Sequence, residues 1–437
     1  MQNFRRTTGW IALGAFSFIV LSIVLLRLGF SAYLNSSTFR KKISDMTAHA
    51  LKANGDFQAL HLAGSTIYSD GFLAQGTDAA FFSKLCADQL RADFNWRGLL
   101  RRAWQIDDFE VQRLEVNFAE RQPAPQPREP RDKITKPSSG GWTLDLRKAN
   151  VRESRWTWDG GAIDGTAFTL TPFDNAWRID AQGGTLAQAG WPALRIESAR
   201  LRYQSPSLFI SDSTLHDSRG TITVSGEVNF DHGLDLQVVL NGIDVMPLLA
   251  NDWRARLTGK LFGDTKVRAP LGENSSGGIS IEGSLRLADA QLTALPVLDQ
   301  IALFTRTETF RRLPLTKVAL DFSRDSAKCT VRNVVVESEG LIRVEGKFTI
   351  VNGQLDGAFQ VGVSPTTLQW LPGSQSRVFT ASHDGYLWTP MRMSGPVEHP
   401  NEDLTERLVV AAAGDVIEHS EGTIRKAAKD VLDLLLH

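Results

Sequence analysis

Cysteine is nearly absent. Cys86 and Cys329 are the only two in 437 residues, too few for a disulfide framework. Both read as small apolar fillers, with a single mutual pairing as the alternative. Charge of one sign is missing too. Lys and Arg total 48 against 49 Asp and Glu, a net of −1, which excludes a global basic field and with it generic nucleic-acid binding. Catalytic signatures are also missing: no GxSxG elbow, no P-loop, no HExxH and no paired CxxC. The histidines (His49, His61, His216, His232, His383, His399, His419 and His437) are scattered without ligand spacing. Asp107-Asp108 and Glu337/Glu339 are carboxylate pairs with no nucleophile or metal partner nearby. They read as strand-edge charges that discourage edge pairing. The expectation is a protein that is not an enzyme and carries no cofactor and no metal.

What is present is apolar. Hydrophobic residues make up 42%, which excludes wholesale disorder, and 36 Gly with 11 Trp suit a turn-rich β protein. Arg5 and Arg6 precede an apolar run from Trp10 to Leu26 that continues past Arg27 to Leu34. Counted through Arg27, which can snorkel, the run gives roughly 24 residues, enough for a bilayer core of about 30 Å. Phe30-Ser31-Ala32 sets a bulky residue where signal cleavage wants a small one, so a retained anchor is favoured over a signal peptide. The basic tip then stays cytoplasmic and the chain from Asn35 faces the other side.

Beyond the anchor, Ser36-Ser37-Thr38 offers N-caps for a helix with Phe39, Ile43, Met46, Ala50 and Leu51 at helical spacing, stopped by Asn54-Gly55. Arg40, Lys41 and Lys42 are read as its solvated face. The domain reading is 1–36 cytoplasmic tip and anchor, 37–118 membrane-proximal α+β region, 119–141 Pro-rich linker or loop, 142–275 β-rich middle, 276–400 C-terminal β-region and 401–437 C-terminal helix. In the α+β region, parity slips between Ile106 and Phe109 and between Val111 and Leu114 mark bulges or bends. A short helix is expected around Val297–Phe304, and the chain ends in an amphipathic stripe through Leu404, Leu408 and Ala411. The fold class is therefore mainly β with flanking helices: a transmembrane helix, an elongated twisted antiparallel sheet or groove, and a C-terminal amphipathic helix.

The strongest local signal is Leu341–Pro365. Ile342, Val344, Phe348 and Ile350 share one parity, Asn352-Gly353 supplies a turn, and Phe359, Val361 and Val363 share the next. Alternation on both sides of Asn-Gly predicts a hairpin. Strings opening at Gly226, Gly283 and Gly346 repeat its Gly-x-apolar-x-apolar form, so repeated hairpins are expected. These apolar faces are either the core of a β-sandwich or a surface that holds acyl chains, and period-two alternation fits both.

Two regions resemble the AsmA-like family, related to TamB and to the repeating β-groove, bridge-like lipid transfer proteins. They are "STFRKKISDMTAHALKANG" after the anchor, and residues 278–400 with "GSLRLADAQLTALPVLDQIALF", "VALDF", "LIRVEGKFTIVNGQLDG" and "MSGPVEHP". The resemblance implies a single-pass inner-membrane protein with its bulk in the periplasm. Its β-groove would carry phospholipid acyl chains in lipid transport or outer-membrane maintenance. The implied partners are phospholipid acyl chains, the inner membrane and other envelope proteins, with no nucleic acid. The family defines no catalytic residues, so the lipid-binding candidates are the hairpin residues Ile342, Val344, Phe348, Ile350, Phe359, Val361 and Val363. The competing reading is a non-enzymatic envelope scaffold or assembly adaptor acting through sheet-edge pairing.

Overall fold

The computed structural model describes residues 36–77, 80, 82–101, 103–118, 143–217, 219–271, 278–293, 312–369 and 374–419. The expected anchor, the 119–141 tract, the short helix near 297–304 and the chain beyond 419 lie outside the described residues. Among the described residues no helix is long and apolar enough to cross a membrane. The structure is mainly β and divides into two compact units. Residues through Ala189 with Arg195–Tyr203 form the first, and Gly190–Leu194 with Gln204 onward form the second.

The first unit opens on α1 (Ser37–Ala50), where the Ser36 hydroxyl accepts from the Phe39 N–H at 3.2 Å. Phe39, Ser44 and Ala48 are its buried face, and Met46, expected in that stripe, is 57% exposed. The helix ends at Leu51 and Lys52, the latter with φ of 53°, rather than at Asn54-Gly55. Asn54-Gly55 lies inside β1 (Ala53–Phe57), where a Cβ on Gly55 would sit 2.8 Å from the Ala74 Cβ. Close strand approach, not helix termination, is what that glycine serves.

β1 and β2 (Leu60–Ala63) lie end to end along β3 (Thr66–Gly76), followed by β4 (Lys84–Asn95) and β5 (Ala103–Asn117). The expected slip after Ile106 is a register shift that leaves Asp107 unpaired against β4. β6 (Thr143–Leu146) and β7 (Ala149–Trp158) then pair with β5 in parallel, so the sheet is not antiparallel throughout as expected. Parallel neighbours need a crossover of a dozen or more residues. The chain leaves β5 at Asn117 and re-enters the ladder at Thr143, beside Ala103, so the Pro-rich tract falls within a crossover. β8 (Gly161–Phe173), β9 (Ala176–Gln182), β10 (Thr185–Gln188) and β11 (Leu194–Gln204) complete this ladder. β9 and β10 share β8 on either side of Gly183-Gly184.

The second unit runs β12 (Ser207–His216), β13 (Thr221–Asn229), β14 (Gly233–Asp244), α2 (Asn251–Arg254), β15 (Leu257–Pro270), β16 (Ser280–Thr293), β17 (Arg312–Leu315) and β18 (Lys317–Arg324). It continues β19 (Lys328–Ser338), β20 (Ile342–Val351), β21 (Gln354–Val363), α3 (Pro365–Leu368), α4 (Ser374–Arg377), β22 (Ala381–His383), β23 (Tyr386–Pro396), β24 (Asn401–Glu402) and α5 (Leu404–His419). Hydrogen bonding joins β12 through β16, then β18 through β21 and β23, each antiparallel to the next. Short turns, including Asn352-Gly353 between β20 and β21, line one rim. α2, α3 and α4 all sit in connections on the other.

The β20–β21 hairpin has the form expected. Asn352 and Gly353 have φ of 50° and 74°, and Ile342 faces Val363 at the far end. The Gly226 string is likewise a hairpin, β13–β14. The Gly283 string is not. All of it lies in β16, and its supposed turn is a bulge at Asp289, with φ of 50°. A short polar residue in the left-handed region serves a turn and a bulge alike, so the sequence pattern does not separate them. Similar shifts occur at Gly242 in β14 and Asn333 in β19. Each bends its strand and adds local twist.

The outer edge of β23 is largely occupied. β22 pairs with Tyr386–Trp388 and β24 with Met393 and Ser394. Between them Pro390 has no N–H, and the Arg392 N–H donates to Asp403 Oδ1 at 2.9 Å. Arg407 donates to Thr389 Oγ1 at 3.2 Å and to the Pro390 carbonyl. The double substitution Asp403→Ala/Arg407→Ala is expected to lower stability by about 1–2 kcal/mol. It should also produce concentration-dependent association through the uncovered edge, checked by light scattering.

Candidate functional site

In a paired ladder, residues directly opposite one another share a face. Applied strand by strand, this rule stacks the apolar positions of the second unit into continuous rows. One row is Ile210, Gly226, Leu236, Val267 and Ile281, resuming through Cys329, Ile350 and Leu355. The next holds Val224, Val238, Thr265, Gly283, Phe322, Val331, Phe348 and Gly357. A deeper one holds Ile243, Leu261, Leu287, Val318, Val336, Val344 and Val361. The opposite face is polar, with the Arg268–Glu282 pair at 3.0 Å and Ser284 donating to Asp321 at 2.6 Å.

Burial is graded across this face. In the row nearest the short turns Leu236, Val267, Ile281 and Ile350 are only half-buried despite strands on both sides. The inner rows mix buried positions (Ile243 at 0% exposure, Val361 at 4%, Val331 at 5%) with half-buried ones such as Phe322, Phe348, Val318 and Val344. The deep end is covered. Val361 packs with Leu368, Val378, Phe379 and Ala411, against which Leu404 and Leu408 of α5 also lie. The same parity continues to the short-turn rim, where Phe230 and Ile279 are 51% and 57% exposed. In a face-to-face sandwich the inward side chains of both sheets interdigitate across about 10 Å and are buried. Among the described residues, Phe82 and Ile243 are the only large apolar side chains below 2% exposure.

The hairpin candidates all lie on this face but in two settings. Ile342, Val344, Val361 and Val363 belong to the helix-covered cluster. Phe348, Ile350 and Phe359 lie nearer the short-turn rim, with Phe348 and Phe359 ring centroids 6.2 Å apart. Leu236, Val267, Ile281 and Phe322 join them, and nothing in the sequence alone distinguishes these four. Alternation marks each as facing one side of its own strand, but only the register says the strands agree.

The first unit has its own apolar face. Phe72, Ala87, Leu90, Val111, Val116 and Val151 form a buried cluster extended by Trp156 and Phe168. At the α1 end, Phe39 and Phe94 both contact Trp104, at 6.0 and 5.5 Å between ring centroids.

No constellation for chemistry assembles among the described residues. No group of three or more His, Cys, Asp or Glu there could hold a metal ion. The carboxylate pairs are not edge charges, because β5 and β19 are interior strands. Asp107 accepts from Gln105 and Asn95, and the Gln105 hydrogen bond is the main reason its carboxyl sits below its ordinary pKa. Glu337 accepts from Tyr386 at 3.1 Å and pairs with Arg343 at 3.4 Å. Both thiols are free, and burial raises the pKa of each. His383 stacks on Trp388 beside the Asp384-Gly385 turn, where Asp384 and Gly385 both have positive φ.

No family model, no curated protein and no solved structure matches this chain.

Proposed function

We propose that the chain is a membrane-anchored periplasmic β-groove protein of the AsmA-like kind, holding phospholipid acyl chains on the apolar face of its second unit. The observation that carries this reading is a face that is apolar across ten paired strands yet only half-buried along its short-turn side, with Phe230 and Ile279 exposed at the rim. Contiguous apolar surface on this scale marks an interaction site in a folded protein. The mechanism is passive. Acyl chains partition onto the side chains, each buried CH₂ contributing about 0.8 kcal/mol, and headgroups stay at the wet rim. Sheet-edge pairing finds less support, since Asp403, Arg407, β22 and β24 occupy most of the outer edge of β23.

The test is mass spectrometry of lipid extracted from the full chain purified in mild detergent. Phospholipid is expected at a fixed molar ratio that survives exchange washing. A preparation whose lipid washes away to nothing would reject the groove.

A further inference from the structure

One side chain breaks the neutrality of the apolar face. Along β18 the face runs Val318, Leu320, Phe322 and then Arg324, which stands opposite Ile281 on β16 and Cys329 on β19. Every other position of this face in β12 through β23, among the described residues, is uncharged. Arg324 is exposed and lies at the short-turn rim. Among the described residues, the carboxylates nearest in sequence and register are engaged elsewhere. Asp325 accepts from the backbone N–H groups of Ala327 and Lys328 at 2.9 and 2.8 Å, Asp321 accepts from Ser284 and Asn333, and Glu282 pairs with Arg268.

We infer that Arg324 is the headgroup anchor of the groove, and that the preferred ligand is an anionic amphiphile. This inference rests on the groove reading. A guanidinium presents a planar fork of donors that matches a phosphate or a carboxylate. From Arg324 to Val318 the strand spans about 20 Å at ~3.3 Å per residue. One acyl tail reaches half of a ~30 Å hydrocarbon core, so it fits within that depth. The tail then lies along Phe322, Cys329, Phe348 and Ile350 toward the helix-covered end, with the charge at the rim. Arg324 is a specificity-determining residue in this arrangement, and the rows behind it supply affinity without regard to headgroup.

The experiment compares binding of dioleoylphosphatidylglycerol and dioleoylphosphatidylcholine, carrying the same fluorescent tail label, to the full chain in neutral detergent. Wild type is expected to prefer the anionic lipid about five-fold, the size of one partly screened charge contact. Arg324→Gln should remove most of the preference, weakening phosphatidylglycerol more than zwitterionic phosphatidylcholine, whose choline offsets its phosphate charge, and Arg324→Lys should restore part of it. The preference should shrink as salt rises. Equal binding by wild type, or an unchanged preference in Arg324→Gln, overturns the anchor and leaves the groove standing. Displacement of phosphatidylglycerol by inorganic phosphate, where chloride of the same ionic strength does not displace it, would assign Arg324 to a free anion and overturn the amphiphile. If neither lipid binds wild type, the groove reading fails and the anchor fails with it.

Discussion

Gly226→Ala is expected to destabilise the second unit by about 3 kcal/mol or more, although it adds one methyl group. Gly226 has φ of 135°, where an L side chain is strained, and the added Cβ would stand 2.2 Å from the Asp235 carbonyl oxygen. The obstruction is backbone, so no side-chain rotation relieves it. β13 would have to part from β14 along a ladder that runs from Thr221–Asn241 to Asn229–Gly233. Gly340 is the control. Its φ of 74° is also positive, but an added methyl there would meet no atom within 4 Å, so Gly340→Ala should cost only about 1 kcal/mol. Urea unfolding followed by tryptophan fluorescence, with the two variants in parallel, separates steric conflict from backbone strain. Equal losses would show that close strand approach at Gly226 is not what fixes the glycine.

The three glycines that open the repeated strings share this property. A Cβ on Gly283 would lie 2.3 Å from the Asp264 carbonyl oxygen, and one on Gly346 would lie 2.6 Å from that of Ala358. The repeat visible in the sequence is thus a recurrence of close strand approach more than of hairpins, which is why the Gly283 copy matches in pattern but not in topology. Alternation and Asn352-Gly353 are readable because turn chemistry and pleat are local. The parallel pairing of β5 with β7 is not. It depends on a crossover whose Pro-rich composition reads equally as a linker between domains. The depth of burial along the face is also hidden. Val344 and Phe348 have the same parity on one strand and both are half-buried, yet Val344 packs against the helix-covered cluster and Phe348 does not, and that difference comes from helices joined far along the chain.

That difference sets up a comparison of Ile243→Asp with Phe348→Asp. Both place a carboxylate on the same face. Ile243 is 0% exposed, so its replacement leaves a charge buried with no counter-ion, and a loss of about 3–5 kcal/mol is expected, enough to unfold the unit. Phe348 is only half-buried, so water can reach a carboxylate there. The cost is then lost packing against Phe359 at 6.2 Å and lost apolar burial, about 1–2 kcal/mol. Phe348→Asp should therefore remain folded by circular dichroism and yet lose most of its co-purifying phospholipid, because a charge now lies where the tail would. Val344→Asp is the poorer probe, since Val344 packs into the covered cluster and its loss of lipid would be confounded with unfolding. A Phe348→Asp protein that unfolds as completely as Ile243→Asp would mean the face is a closed core. One that stays folded with its lipid intact would mean the acyl chains lie elsewhere. Only the split outcome, fold retained and lipid lost, is what an open apolar groove requires.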